Sequence, residues 1–255
     1  MDISRLTQRI RQANTNGRKA LIPFLPGGFP DCDSFWTHLA ALDAGGADII
    51  EIGVPFSDPC ADGPTVEQAS IQALDAGVTL TGLLEGLKAR SGQFQAELVL
   101  MGYLNPFLQY GFERLARNAA EAGVAGFIIP DLPLDEDAPY RATLRSHGIA
   151  LVPLVGLNTD SARMQAYANA ADGYVYVVSV LGTTGARDAF PPELAETLAR
   201  ARQAFSLPLA LGFGIKEPGQ LAVFGDSMDA VIFGSALITH LREHGEVASF
   251  MARWQ

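Results

Sequence analysis

Two acidic side chains lie close together in the segment 48–64, which reads DIIEIGVPFSDPCADGP. Glu51 stands within a run of isoleucines, a pattern typical of a strand that is buried on both faces. A carboxylate buried there is costly unless it is protonated or hydrogen-bonded. Asp62 follows in a loop rich in proline and glycine. Two carboxylates in different surroundings can divide acid and base roles, although a chance acid followed by a solvated acidic loop gives the same pattern.

Charge and composition limit the class of partner. The chain has 255 residues, 48% of them hydrophobic, and a net charge of −10. An acidic chain is poorly matched to nucleic acid or to an anionic membrane, so we expect neither as a partner. Its three lysines, Lys19, Lys88 and Lys216, are scattered. Any bound phosphate must therefore be held mostly by backbone N–H groups.

The cysteines and the apolar runs indicate a cellular location. Cys32 and Cys60 form no C-x-x-C or Cys/His pattern, which favours free thiols and no metal site. The polar N-terminus is not a secretory signal, and no apolar run approaches the ~18 residues of a membrane span. We therefore expect a cytoplasmic protein.

Short apolar segments alternate with helical ones along the whole chain. Such alternation implies parallel strands with helical crossovers. Eight units predict a single (β/α)8 TIM barrel domain over residues 1–255, with an extra N-terminal helix at 3–14. An open dinucleotide-binding sheet is less favoured because the first turn, PGGFP, is not G-x-G-x-x-G. The predicted strands are 19–25, 48–53, 96–101, 124–129, 149–155, 173–180, 208–211 and 230–233.

Polar residues follow several of these strands, where a barrel of this kind has its active site. They are Glu51, Asp62, Tyr103, Asn105, Asp131, Tyr174, Tyr176 and the loop 183–185. Apolar residues also lie near these strand ends. They either belong to the core or form the walls of a site for a flat, apolar ring. These residues are Phe24, Phe56, Met101, Tyr103, Tyr176, Phe213 and Phe233.

Glycines follow the last two predicted strands, as Gly212-Phe213-Gly214 and Phe233-Gly234-Ser235. A barrel commonly builds its phosphate site from these two loops and a helix N-terminus, whose exposed N–H groups bind the anion. Tight turns without a ligand would have the same composition. We predict a phosphate site because both pairs occur together.

The positions of the histidines and lysines limit the catalytic mechanisms that are available. The four histidines fall in helical or turn regions and are interpreted as surface residues, which argues against histidine catalysis or a histidine metal site. No lysine ends a predicted strand, so a Schiff-base mechanism lacks an obvious nucleophile. The residues thus favour carboxylate acid/base chemistry on a phosphorylated substrate.

The motifs EIGVPFSDPCADGP, PGGFP, NPF, PDLP, TTGA, GFGI and GSA occur in this order over nearly the whole chain. Together they closely resemble the tryptophan synthase alpha subunit family. The loop PFSDPCADGP is highly specific, whereas the glycine pairs alone are not. The resemblance implies a lyase that cleaves indole-3-glycerol phosphate to indole and glyceraldehyde 3-phosphate by a retro-aldol step.

The resemblance also implies roles for individual residues. Glu51 matches the catalytic glutamate that protonates indole C3 and handles the proton of the glycerol hydroxyl. Asp62 matches the aspartate that accepts a hydrogen bond from the indole N–H, and Tyr176 matches the tyrosine near the glutamate. The implied substrate-binding residues are Phe24, Tyr103, Thr184, Gly185, Phe213, Gly214, Gly234 and Ser235.

Members of the family work in an α2β2 complex with a beta subunit that carries pyridoxal phosphate, so we expect no cofactor in this chain. The resemblance leaves open a stand-alone lyase that releases free indole. Two further alternatives are a phosphosugar isomerase, which a lysine or histidine at the barrel mouth would have favoured, and a non-catalytic activator of a synthase. Intact Glu51 and Asp62 argue against the activator.

Overall fold

The computed structural model describes residues 4–179, 190–212, 214–215 and 217–254. In these ranges the strands are β1 (Ala20–Pro26), β2 (Ile49–Gly53), β3 (Glu97–Met101), β4 (Val124–Ile128), β5 (Ala150–Leu151), β6 (Leu154–Val155), β7 (Val175–Val178), β8 (Leu209–Gly212) and β9 (Ala230–Phe233). The α-helices are α1 (Arg5–Thr15), α2 (Cys32–Ala44), α3 (Pro64–Asp75), α4 (Leu80–Lys88), α5 (Leu104–Tyr110), α6 (Phe112–Glu121), α7 (Ala138–Ser146), α8 (Ser161–Ala168), α9 (Glu193–Ala204), α10 (Ser235–His244) and α11 (Ala248–Met251). Short 3₁₀ helices cover Pro218–Val223, Gly225–Ser227 and Ala252–Trp254. None of the helices in the described ranges is long and apolar enough to cross a membrane.

The strands are parallel and lie in the order β5-β4-β3-β2-β1-β9-β8-β7-β6. The two end strands belong to one stretch of chain, because only Val152 and Pro153 separate β5 from β6. Val152 N–H donates to Phe127 O of β4 at 2.9 Å, and Tyr176 N–H of β7 donates to Pro153 O at 3.0 Å. This stretch therefore closes the barrel, which confirms the (β/α)8 prediction.

The predicted strand 149–155 is interrupted in the middle. Pro153 has no N–H to give to a neighbouring strand, and proline in a sheet interior breaks the ladder of hydrogen bonds. Because of the interruption, the described residues form nine strands where eight were predicted, and the barrel remains closed.

Helix α1 covers the N-terminal end of the barrel. Leu6 is fully buried, and its side chain packs closely on Gly126 and Gly173. A Cβ atom on Gly126 would lie 2.7 Å from Leu6 Cδ1, and one on Gly173 would lie 3.1 Å from it. Arg18, just after the helix, donates to both carboxylate oxygens of the buried Asp48 at 2.6 and 2.9 Å. The opposite end of the barrel, at the C-terminal ends of the strands, is not covered by this helix and contains the candidate site. The expected N-terminal helix is thus confirmed, at Arg5–Thr15.

The structure corrects the interpretation of two histidines as surface residues. His38 lies on the core face of α2 with Phe35, Leu39 and Leu42, following a helical period that places it inward. His240 is buried on α10, where its Nε2 lies 3.1 Å from Ser249 Oγ. Burial lowers the pKa of both imidazoles.

Candidate active site

A cleft lies at the ends of the strands and encloses about 510 Å3, part of it open to solvent. The structure brings six of the predicted site residues together in its lining, with Tyr103 in a small adjoining cavity that Phe24 and Asp62 also line. Thr184, Gly185 and Phe213 lie outside the described residues. The cleft is lined by Phe24, Asp62, Val66, Met101, Tyr176, Gly214, Ile215, Ile232, Phe233, Gly234, Ser235 and Ala236.

Glu51 lies beneath this cleft and is fully buried. It stands on β2, in register with Phe24 of β1, so the two side chains share one face of the sheet. Its Oε1 accepts a hydrogen bond of 2.6 Å from the Tyr174 hydroxyl, and its Oε2 has no hydrogen-bond partner in the described part of the chain. Burial raises the pKa of Glu51 to about 8, against the lowering effect of the Tyr174 bond. The carboxyl is therefore protonated at neutral pH and can act as an acid.

Two tyrosines approach the acids from β7. Tyr174 precedes the strand and Tyr176 lies within it, so the alternation of a strand places them on one face. Burial and the charges of Glu51 and Asp62 raise the pKa of Tyr176. A Cβ on Gly212 of the neighbouring strand would collide with the Tyr176 ring, so glycine makes room for it. Both phenols remain protonated donors at neutral pH.

The sequence did not identify Tyr174 as the partner of Glu51. The resemblance assigned the tyrosine near the glutamate to Tyr176, whereas the hydroxyl that donates to Glu51 is that of Tyr174. The signal available in the sequence was the spacing of two, which puts both tyrosines on the face that Glu51 also faces. That spacing alone does not say which hydroxyl reaches the carboxyl.

Asp62 is half-buried in the loop between β2 and α3. Burial raises its pKa to about 6, a hydrogen bond from Tyr103 lowers it, and the charge of Glu67 raises it. At neutral pH Asp62 is therefore mostly ionised while Glu51 keeps its proton. Two carboxyl groups with separated pKa values, at one barrel mouth, can divide the roles of acid and charge stabiliser.

The N-terminus of α10 forms the other wall of the cleft. Gly234 is its N-cap residue, and Ser235 and Ala236 of its first turn line the cleft. The first N–H groups of a helix lack partners within the helix and can bind an anion. A Cβ on Gly234 would lie 2.9 Å from Phe24 Cδ1, so the close approach of the ring requires glycine. Gly214 completes this wall with a φ of +80°, which favours glycine.

These observations define the class of protein as a parallel (β/α)8 barrel with a buried acid and an ionised carboxylate at its C-terminal mouth. Among the described residues, no three histidine, cysteine, aspartate or glutamate side chains are grouped so as to hold a metal ion.

The chain is similar to known proteins in both sequence and fold. A family model described as tryptophan synthase alpha chain matches residues 10–253. The tryptophan synthase alpha chain of Solidesulfovibrio magneticus is 62% identical over 255 residues, 100% of each chain. That of Nitratidesulfovibrio vulgaris strain DP4 is 63% identical over 254 residues, 100% of this chain and 99% of the relative.

Solved structures of known proteins have the same fold. Tryptophan synthase of Mycobacterium tuberculosis superposes with a TM-score of 0.91 at 36% identity, over 99% of this chain and 96% of that one. The alpha chain from Legionella pneumophila subsp. pneumophila gives a TM-score of 0.85 at 31% identity, over 99% and 93%. The chain belongs to the tryptophan synthase alpha chain family, whose members are the lyase subunits of that enzyme.

Proposed function

We propose that the chain cleaves indole-3-glycerol phosphate to indole and glyceraldehyde 3-phosphate, and that the indole passes to a beta subunit for L-tryptophan synthesis. The observation that carries the proposal is the pair of acids at one barrel mouth. Glu51, with a pKa of about 8, holds a proton at neutral pH, while Asp62, with a pKa of about 6, is mostly ionised.

The reaction breaks the bond between indole C3 and the first carbon of the glycerol chain. Glu51 donates its proton to C3, and the hydroxyl on the glycerol carbon loses a proton as its C–O bond becomes the carbonyl of the aldehyde. The same carboxylate takes up that proton, so the acid is restored after each turnover. Glu51 does not line the cleft in this structure, so its side chain must turn toward the substrate for the transfer.

Positive charge develops on the indole nitrogen when C3 is protonated. Asp62 lines the cleft and is mostly ionised at neutral pH, so its carboxylate suits the indole N–H as a hydrogen-bond partner. A fixed negative charge beside a developing positive charge lowers the barrier. Tyr176, which lies near both acids, is assigned to the same catalytic group.

The phosphate is assigned to Gly214, Gly234 and Ser235, because the first turn of α10 lines the cleft and the N-terminus of a helix can bind an anion. Phe24 and Tyr103 are assigned to the indole ring. The assignment of Thr184, Gly185 and Phe213 to the substrate is supported by the resemblance of their motifs alone.

The proposal includes an α2β2 complex with a beta subunit that carries pyridoxal phosphate, a cytoplasmic location, and a single barrel domain over 1–255. Family membership supports the beta partner, since the M. tuberculosis relative is described as tryptophan synthase. In the part of the chain that the structure describes, the strands form a single nine-stranded sheet, which supports the single domain. The comparisons do not favour a stand-alone lyase, because the relatives described above are alpha chains or tryptophan synthase.

The test is indole formation from indole-3-glycerol phosphate, measured with the purified chain alone and after addition of a beta subunit. We expect slow release of indole by the chain alone and faster turnover with the beta subunit. Equal rates would favour the stand-alone lyase. No indole in either mixture would contradict the proposed function.

A further inference from the structure

We propose that Tyr103 is a positioning residue, whose hydroxyl group holds the loop between β2 and α3 in place and fixes the direction of the Asp62 carboxylate. This role goes beyond the contact with the indole ring that the resemblance implies. It rests on the proposed function only where a kinetic measurement is used.

The backbone around Tyr103 is anchored to two neighbouring elements. Tyr103 follows β3 and is the N-cap residue of α5. Before it, Gly102 N–H donates to Ile128 O of β4 at 3.0 Å. After it, Leu104 N–H donates to Asp131 Oδ1 at 2.9 Å. The side chain is therefore presented from a fixed position.

Tyr103 contacts the loop near its beginning and near its end. Its ring lies 5.4 Å from the ring of Phe56, measured between centroids. Its hydroxyl oxygen accepts a hydrogen bond of 2.9 Å from Ala61 N–H and also interacts with the backbone N–H of Asp62. The residues between these contacts include the exposed Ser57 and Cys60. One buried side chain thus ties both ends of a solvent-facing segment to the barrel.

The same hydroxyl interacts with the Asp62 side chain and lowers the pKa of its carboxyl. A carboxylate accepts several hydrogen bonds, so an interaction with Tyr103 can orient Asp62 and still leave capacity for the substrate N–H. Asp62 lines both the cleft and the small inner cavity beside Tyr103. The orientation of its carboxylate therefore bears on what the cleft can bind.

Two groups besides burial act on the pKa of Asp62. Glu67 of α3 raises its pKa and the Tyr103 bond lowers it, while Asp62 in turn raises the pKa of Tyr176 on β7. Loss of the Tyr103 hydroxyl removes the influence that favours the ionised form. Asp62 would then hold its proton at a higher pH and would be a weaker partner for a developing positive charge.

The variant that tests this role is Tyr103→Phe, which removes one oxygen and keeps the ring against Phe56. Tyr110→Phe is the matched control, because Tyr110 lies on α5 and its hydroxyl accepts from Asn118 Nδ2 at 2.7 Å instead. NMR on the substrate-free chain follows the titration of the Asp62 carboxyl and the hydrogen exchange of the Ala61 amide. The acidic limb of kcat/KM against pH gives a third reading.

In Tyr103→Phe we expect the Asp62 midpoint to move up by about one pH unit, the Ala61 amide to exchange at least tenfold faster, and the acidic limb to move with the midpoint. Tyr110→Phe leaves all three unchanged. An Asp62 midpoint and an Ala61 exchange rate equal to those of the wild type would overturn the proposal.

Two of these readings do not depend on turnover. If the wild-type chain fails to release indole, the proposed function falls while the titration and the exchange still decide the role of Tyr103. If Tyr103→Phe does not fold, the wild-type chain decides it: an Ala61 amide that exchanges as fast as the amide of exposed Ser57 would overturn the proposal.

Discussion

The hydroxyl of Tyr174 lies 2.6 Å from Oε1 of Glu51, and both side chains are excluded from solvent. The bond lowers the pKa of Glu51, whereas burial raises it more, to about 8. Tyr174 therefore keeps the proposed acid from becoming too weak to give up its proton. This relationship leads to the first prediction.

Replacement of Tyr174 by phenylalanine removes the donor and should raise the pKa of Glu51 further. Because the proposed mechanism needs protonated Glu51, activity falls as pH rises through this pKa. We expect the basic limb of kcat against pH to move to higher pH in Tyr174→Phe, by up to about one unit. Tyr140→Phe serves as the control, because it also removes a tyrosine hydroxyl, from a ring that packs on Phe112 and not on Glu51. A basic limb that stays in place or moves down would argue against this role of Tyr174.

Glu51 should also make stability depend on pH. Its pKa rises from 4.5 to about 8 on folding, so between these values the folded chain keeps a proton that the unfolded chain loses. The stabilisation is complete below the lower value and is lost as pH rises, by about 1.4 kcal/mol per pH unit. Asp62 adds little slope above its own pKa of about 6. The buried histidines, whose pKa values are lowered, contribute equally in the wild type and in a Glu51 variant, so the difference between the two from pH 6.5 to 8 isolates Glu51.

Urea unfolding at those two pH values measures the effect. The wild type should lose about 2 kcal/mol more than Glu51→Gln between them, since glutamine does not titrate. Glu85→Gln, a change at an exposed glutamate of α4, should behave as the wild type. Parallel losses in the wild type and Glu51→Gln would show that the pKa of Glu51 is not raised.

The phosphate assignment predicts a severe effect of Gly234→Asp. The new side chain would meet Phe24 Cδ1 at 2.9 Å from Cβ, and its charge would repel an anion at the N-terminus of α10. We expect affinity for a glycerol phosphate analogue to fall by more than tenfold, measured by calorimetry. Gly234→Ala separates the steric part from the charge, and Gly82→Asp on α4 controls for added charge. Unchanged affinity in Gly234→Asp would remove the phosphate assignment.

The sequence predicted the architecture well because its signals are local and repeated. Each buried strand is a short apolar run, and each helix has a periodic apolar face, so β9 was predicted at Ala230–Phe233 as observed. The pattern of residues 134–146 predicts a helix over that whole range, whereas α7 begins at Ala138, since the acidic residues before it form turns. The sequence pattern predicts no helix at α5, because Pro106 resembles a break, although proline is tolerated in the first turn of a helix.

The site was predicted less completely than the fold. The positions of Glu51 and Asp62 at one strand and its loop could be read from their spacing. The tyrosine that donates a hydrogen bond to Glu51 could not be predicted, because Tyr174 and Tyr176 have the same spacing signal and the structure shows the bond from Tyr174. The buried position of His240 likewise depends on α11 folding back beside α10, a contact between segments that local periodicity does not contain.

The most direct test of the central claim compares indole release from indole-3-glycerol phosphate by the wild-type chain and by Glu51→Gln, each with a beta subunit present. A glutamine cannot donate the proton that C3 needs, so we predict a loss of at least a thousandfold in kcat, with binding of a glycerol phosphate analogue within about twofold of the wild type. Near-normal indole release by Glu51→Gln would contradict the account.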